Sequence, residues 1–501
     1  MPPPHLVVVT ALRSEYLALR GQVPGATLER CGMGPAKGEK WLPRLDELRP
    51  GALAVAGVAG GLDPELNTGD IVVATEVRDA HGRTVLRGAA PLAAELRRMG
   101  MRVHTGPLVS CEHIAGGEHR ARLRASGALA VDMESAAIVR AAGRQVPTAV
   151  VRVVVDTAHT PVVHPATVPN GIRALLILRE IGPALRRWAD LAGPRRVVLA
   201  GPRSFCAGVE RAIDVVERAL RRYPHPVYVR RQIVHNAHVV RDLECRGAVF
   251  VDELDEVPDG TTVVLSAHGV APSVRAEAAR RELTVVDATC PLVGKVHAEA
   301  RRFAARGDTV LFIGHDGHDE TEGTLGEAPG QIRLVQNTHE AERVAAADPT
   351  RVAMLTQTTL AVDEAEDVAR VLRRRFPMIE SPPTDDICYA TTNRQDAVRV
   401  VAAECDVLVV LGSANSSNSR RLVEVSERCG TPAYLADDAS DLLPEWLQDA
   451  RSVGLTAGAS APPYLVDEVI GTLQALGPVE IVEREVARED IHFALPKEVA
   501  D

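Results

Sequence analysis

Beyond residue 197 this chain places a cysteine in front of a helix-like run three times. The stretches are RRVVLAGPRSFCAGVERA with Cys206, ELTVVDATCPLVGKVHAEA with Cys290, and MIESPPTDDICYATTNRQDAV with Cys388. The cysteines are 84 and 98 residues apart, and each interval is near the size of one small α/β module. After Cys206, the residues Val209, Ile213, Val216 and Leu220 fall on one face of a helix. Taken singly, a free cysteine is most often a small core hydrophobe. A helix N-terminus, however, stabilises anions, and a thiolate there can hold a metal. Three repeats of strand, loop and helix predict three modules, each aiming one thiolate at a shared centre.

At 501 residues the chain is too long for one ordinary core, so at least two domains are expected. Apolar residues make up 46% and the net charge is −10. That is the composition of a soluble globular protein and argues against a general nucleic-acid binder, whose domains are usually basic. No run of about 18 apolar residues signals a membrane-spanning helix. The opening MPPPHLVVVTALRSE has neither the basic region nor the cleavage site of a signal peptide, so a cytoplasmic location is expected. In that setting the scattered Cys31, Cys111, Cys206, Cys245, Cys290, Cys388, Cys405 and Cys429 are not expected to form a disulfide framework. Metal binding or catalysis is the default for a cysteine in a special loop.

The first segment alternates strand-like runs, HLVVVTA, ALAVAGVAGGL, GDIVVATEV and TAVVRVVVDTA, with helical patterns such as MESAAIVRAAGRQ. This predicts an α/β domain with a largely parallel sheet. One helix over PNGIRALLILREIGPALRRWADLA closes it, GPRR marks a break, and a new strand starts at Val197. The expected division is a first domain at 1–190, a linker at 191–196, a second domain at 197–482 and a charged C-terminal tail at 483–501.

Structural zinc sites use four ligands with close CxxC pairs, and no CxxC is present. Iron–sulfur clusters accept widely spaced thiolates. Three protein ligands on a [4Fe-4S] cluster would leave one iron open, which marks a catalytic rather than a structural site. On pattern alone, cluster ligation stands level with a redox or zinc role. The other polar motifs mostly follow apolar strands and sit beside Gly or Pro. QIVHNAHVV carries His235, LSAHGVAP carries His268, and FIGHDGHDETEGT carries His315, His318 and Glu320. LTQTTL carries Thr358 and Thr359, VLGSANSSNSRRL carries Ser416, Ser417 and Asn418, and LTAGASAPP carries Ser460. Strand-end loops are where α/β sheets place ligands. Hydroxyls, an amide, imidazoles and backbone N–H groups are the donors a diphosphate needs.

In order along the chain, FCAGVERAI, IVHN, SAHGV, DATCPLV, QTTL, DDICYATTNRQ and TAGASAP resemble the family of 4-hydroxy-3-methylbut-2-enyl diphosphate reductase, over roughly residues 197–480. This family catalyses the last step of the non-mevalonate isoprenoid pathway. The resemblance implies a three-lobed α/β iron–sulfur reductase domain around an open [4Fe-4S] cluster. Cys206, Cys290 and Cys388 match its ligands. His235, His268, Thr359, Ser416, Ser417, Asn418 and Ser460 match substrate-binding positions, and His318 a pocket histidine. Thr358 matches the residue that bonds the allylic hydroxyl, and Glu320 the one tied to proton delivery. The implied partners are an allylic diphosphate substrate and a ferredoxin or flavodoxin-type electron donor. Cys245, Cys405 and Cys429 match no ligand position.

In the first segment, AGVAGGLDPELNTGDIVVATEV has a Gly-rich turn after a strand, alone a weak ribose or phosphate signal. TALRSEYLAL adds Glu15, Glu134 stands at a helix start, and Asp156 at a strand end. The set resembles the nucleoside phosphorylase family, in particular its methylthioadenosine nucleosidase and hopanoid-associated branches, over roughly residues 5–185. That implies a purine nucleoside ligand and a homo-oligomeric state. Glu134 would hold ribose hydroxyls, Asp156 would protonate the leaving base, and Glu15 would position a water. Val155 stands where the nucleosidase branch has a small hydroxyl residue, which leaves water and phosphate both open as nucleophile. The rival to a two-domain enzyme is a nucleoside- and redox-sensing regulatory protein with an inactive first domain. A zinc-bound structural protein is a third reading.

Overall fold

The computed structural model describes residues 3–158 and 167–500. The chain forms two compact units. One comprises 1–197 with 438–453 and 467–482, and the other comprises 198–437 with 454–466 and 483–501.

The first unit is built on a sheet that closes on itself. Ala52–Gly61 pairs with Ala130–Asp132 and with Thr148–Asp156. Ile71–Asp79 pairs with Thr148–Asp156 and with Val103–Ser110, which pairs with Ala130–Asp132. Leu6–Thr10 and Thr27–Arg30 extend it in parallel from Ala52–Gly61. Most pairings are parallel, as expected. The antiparallel exceptions include two in the closed ring, Ala52–Gly61 with Ala130–Asp132 and Ile71–Asp79 with Thr148–Asp156. Strands such as LVVVT are buried along their whole length, because both faces are covered. The expected single closing helix is two, Thr167–Glu180 and Gly182–Ala189. Pro183 has no N–H to continue the helical ladder, so a new helix starts there.

The second unit has three lobes, each on its own sheet. The first orders its strands Ala248–Val251, Val227–Arg230, Thr262–Leu265, Thr284–Asp287, all parallel. The second orders Ile332–Val335, Thr309–Ile313, Val352–Thr356, also parallel. The third orders Ala433–Ala436, Val407–Leu411, Ser452–Ala457, Arg195–Gly201, Val479–Glu485. Helices cover these sheets with one apolar stripe each. In Ala207–Arg222 that stripe includes Val209, Val216 and Leu220, all buried. After Val479–Glu485 the chain forms no further helix or strand among the described residues. It is still packed, with Val499 only 2% exposed within the core of Val216, Val229 and Leu243.

One expectation about the modules is corrected. Cys206 and Cys290 each follow a strand, but among the described residues no strand leads into Cys388. The prolines of SPPT remove ladder donors, and the segment makes only an isolated bridge at Glu380. Cys388 is instead located by its own N–H, which donates to the Thr358 carbonyl at 3.0 Å. Among the described residues no helix is long and apolar enough to cross a membrane.

Candidate active site

All three loop cysteines occupy the same local position, the N-cap of a helix: Cys206 before Ala207–Arg222, Cys290 before Pro291–Ala305, and Cys388 before Tyr389–Ala402. Their side chains line one cavity of about 100 Å³, and none is in a disulfide. Gly208 keeps the space between two of them open. A Cβ there would lie 2.7 Å from Cys290 Sγ and 3.8 Å from Cys206 Sγ. Cys388 Sγ lies 3.2 Å from Thr391 Oγ1 and accepts from the Thr391 N–H at 3.4 Å. Burial pushes the Cys290 thiol up to about 11 and the Cys388 thiol up to about 12. Thiols held this high are poor nucleophiles near neutral pH, whereas a bound metal would remove their protons. Three convergent thiols, none in a disulfide, lining one cavity beside a residue with no side chain are a donor set that fits an iron–sulfur cluster.

Three histidines line the same cavity. His235 and His268 stack with ring centroids 4.0 Å apart, and His318 meets them edge-on at 5.3 and 5.8 Å. Burial lowers all three pKa values, that of His318 to about 4 and that of His268 well below the usual value. They are therefore neutral without a ligand. His268 Nδ1 is buried with no hydrogen-bond partner, as are both amide atoms of Asn418. Ser416, the N-cap of Ser417–Arg428, lies 3.5 Å from Ser460 across their hydroxyls, and Ser460 donates to the His235 carbonyl at 2.9 Å. Buried polar groups without partners are rare. Here they cluster on a cavity with helix N-termini, where an anion is favoured.

The cavity also holds a carboxyl. Glu320 is 1% exposed and accepts from Thr358 N–H at 2.7 Å and Thr358 Oγ at 3.0 Å. Burial raises it to about 7, against two hydrogen bonds from Thr358 that pull the other way. Thr359 is fixed by Gln357, whose amide donates to its hydroxyl at 2.9 Å, and its carbonyl lies 3.5 Å from Ser417 Oγ. Thus Cys206, Cys290, Cys388, His235, His268, His318, Glu320, Thr358, Thr359, Ser416, Ser417, Asn418 and Ser460 share one cavity. His315 does not join them; it bonds Arg421 and lies 3.5 Å from Glu364.

Residues 197–474 match the family model described as LytB protein. The chain belongs to this family. A Mycobacterium bovis protein named 4-hydroxy-3-methylbut-2-enyl diphosphate reductase 2 is 58% identical over 323 residues, 64% of this chain and 98% of that one. A reductase of the same name from Acidothermus cellulolyticus is 58% identical over 306 residues, 61% of this chain and 90% of that one. A solved structure, the E-1-hydroxy-2-methyl-but-2-enyl-4-diphosphate reductase from Plasmodium falciparum, is similar with TM-score 0.59 and 35% identity. It covers 61% of this chain and 97% of that one. Residues 13–175 match the phosphorylase superfamily, so this LytB chain carries a phosphorylase-like domain in front.

That front domain has its own pocket, a cavity of about 190 Å³ lined by Glu15, Glu134 and Asp156 among others. Glu15 is 1% exposed and accepts from three backbone N–H groups, of Ala11 at 3.0 Å, Leu12 at 2.7 Å and Val58 at 2.8 Å. Glu134 is the N-cap residue of Ser135–Ala142. Burial raises it to about 7, although Arg152 lies at 3.0 Å. Asp156 accepts from Arg120 at 2.9 Å. The sequence reading passed over Arg120 and Arg152. Arg152 is 0% exposed between Asp132 at 2.6 Å and Glu134. Its signal was present, a lone arginine inside the apolar run TAVVRVVVD.

Proposed function

We propose that the second unit reduces 4-hydroxy-3-methylbut-2-enyl diphosphate to isopentenyl and dimethylallyl diphosphates. Two electrons and two protons enter, the allylic C–O bond breaks, and water leaves. The observation that carries this reading is the buried Glu320–Thr358 pair in a cavity lined by three cysteines and three histidines. Cys206, Cys290 and Cys388 would hold a 4Fe-4S cluster, which when bound supplies the one-electron chemistry and Lewis acidity that side chains lack. His235, His268, Ser416, Ser417, Asn418 and Ser460 bind the diphosphate through donors that have few other partners. Thr359 and His318 shape the cavity around the carbon chain. Thr358 orients the substrate hydroxyl, and Glu320, neutral up to about pH 7, holds the proton that leaves with it. A ferredoxin or flavodoxin-type protein supplies the electrons. A nucleoside- and redox-sensing protein has no use for a buried proton donor, so Glu320 favours the enzyme. The test is anaerobic turnover of the hydroxylated diphosphate with a chemical reductant. Both products should form with the wild type and be lost with Thr358→Val; no product from a wild type that holds iron would refute the reading.

For the first unit we propose cleavage of a purine nucleoside by residues within 1–190. Glu134 binds the ribose, Glu15 holds a water on the sugar, and Asp156 serves the leaving base. Because Arg120 occupies Asp156, that ion pair opens when the base binds. Adenine release from 5′-methylthioadenosine, lost in Asp156→Asn, supports this. Absence of binding to any 5′-substituted adenosine contradicts it.

A further inference from the structure

Each cysteine-capped helix carries a cation five or six residues after its cysteine. Each cation reaches the loop of a different cysteine. Arg211, on the Cys206 helix, donates through Nη1 to the carbonyls of Ala288 and Thr289 at 3.0 Å each, just before Cys290. Lys295, on the Cys290 helix, donates to the carbonyls of Thr384 and Asp385 at 2.8 Å each, just before Cys388. Arg394, on the Cys388 helix, donates to the carbonyls of Ser204 at 2.8 Å and Phe205 at 3.4 Å, just before Cys206. The three links close a ring.

A cage of three ligands is defined by three separations, and each link spans one of them. Two carbonyls held by one cation fix the backbone from which the next thiol projects; the bonds of Arg211 and Arg394 are at least partly buried, and those of Lys295 are exposed. Partners behind the ligands orient them in this way in metal sites generally. Cations also suit the place, because three thiolates would bring negative charge. The terminal segment completes the ring. Glu489 lies 3.0 Å from Arg394 Nη1, which is otherwise a 0% exposed cation, and the Ala494 carbonyl accepts from Arg211 Nε at 2.8 Å.

We propose that Arg211, Lys295 and Arg394 are positioning residues that form a cyclic brace setting the spacing of the three cysteine loops, locked by Glu489 of the terminal segment. The proposal rests on the cluster reading above. It is tested on the full chain loaded anaerobically, comparing wild type with Arg211→Met, Lys295→Met, Lys295→Arg and Glu489→Gln. Arg394 is fully buried, so Glu489→Gln probes its link without emptying the core. The readouts are iron release to a chelator, the electron paramagnetic resonance spectrum of the reduced cluster, and the thermal midpoint of the iron-free chain.

The brace predicts iron release faster by about tenfold to a hundredfold in the two Met variants. Their spectrum changes, the iron-free midpoint of Arg211→Met stays near that of the wild type, and Lys295→Arg, which keeps a charge beside the buried Asp386, restores iron release and spectrum. Glu489→Gln, which keeps a hydrogen bond but loses the charge, falls between. Wild-type release and spectra in both Met variants would overturn the proposal, as would Lys295→Arg behaving like Lys295→Met. So would an iron-free midpoint of Arg211→Met that falls in step with iron release, since that assigns a plain stability role. A wild type that holds no iron overturns the cluster reading itself.

Discussion

Replacing Glu320 by glutamine separates what this carboxyl does for the reaction from its effect on the fold. Glu320 is 1% exposed, and burial moves its pKa from 4.5 to about 7. At roughly 1.4 kcal/mol per pH unit, an ionised Glu320 in the folded chain is about 3 kcal/mol less favourable than in the unfolded one. The sign follows from the raised value. Below the unfolded pKa both states are protonated and stability is full. It is lost as pH rises through the folded pKa near 7. Glutamine keeps the shape, can accept from the Thr358 N–H, and does not titrate. Glu320→Gln should therefore match the wild type at about pH 4 and below and exceed it by about 3 kcal/mol at about pH 8. This is read by thermal or denaturant unfolding of the iron-free chain. Because the proton donor is gone, turnover falls by about a hundredfold to ten-thousandfold below about pH 7, where the wild type holds that proton. Equal stability of the two chains at about pH 8 would refute the reasoning about burial. Retained turnover would refute the proton-donor role.

Gly208→Ala puts a methyl 2.7 Å from Cys290 Sγ; iron bound per chain should fall while circular dichroism stays unchanged. Diphosphate binding should take up protons near neutral pH, because His235, His268 and His318 are held neutral by burial and an anion raises their pKa values. Calorimetry in two buffers of different ionisation enthalpy measures this. Arg152→Met leaves Asp132 and Glu134 buried without their cation, and should destabilise the first unit by about 3–5 kcal/mol. That loss should shrink as pH falls toward about 7, because Arg152 holds the Glu134 pKa down and its removal lets Glu134 stay protonated to higher pH.

The site cavity was legible in the sequence because its residues are concentrated in short loops beside glycine or proline. Cys206, His268 and Ser460 each stand in such a loop after a strand-like run. Local pattern does not report what the topology brings together. Lys295 sits 90 residues from the Asp385 carbonyl it holds, and Arg394 sits 95 from Glu489. On a helix such residues read as ordinary solvated cations. The terminal segment reads as a charged tail for the same reason, yet Val499 is buried. The lead-in to Cys388 read as a strand because MIE is apolar enough, while the prolines after it decide otherwise. In the first unit the strands were visible as apolar runs. Closure of the sheet was not, since it depends on how Ile71–Asp79 and Thr148–Asp156 meet antiparallel.

The central claim is that Cys206, Cys290 and Cys388 hold a cluster on which the reductase activity depends. The most direct measurement is iron and sulfide content, visible absorption and turnover of the hydroxylated diphosphate, for anaerobically purified wild type and Cys290→Ser. The account predicts a brown wild type with about four irons and four sulfides per chain and both products formed, with content and turnover lost in the variant. A colourless or zinc-containing wild type, or full turnover in Cys290→Ser, would contradict it.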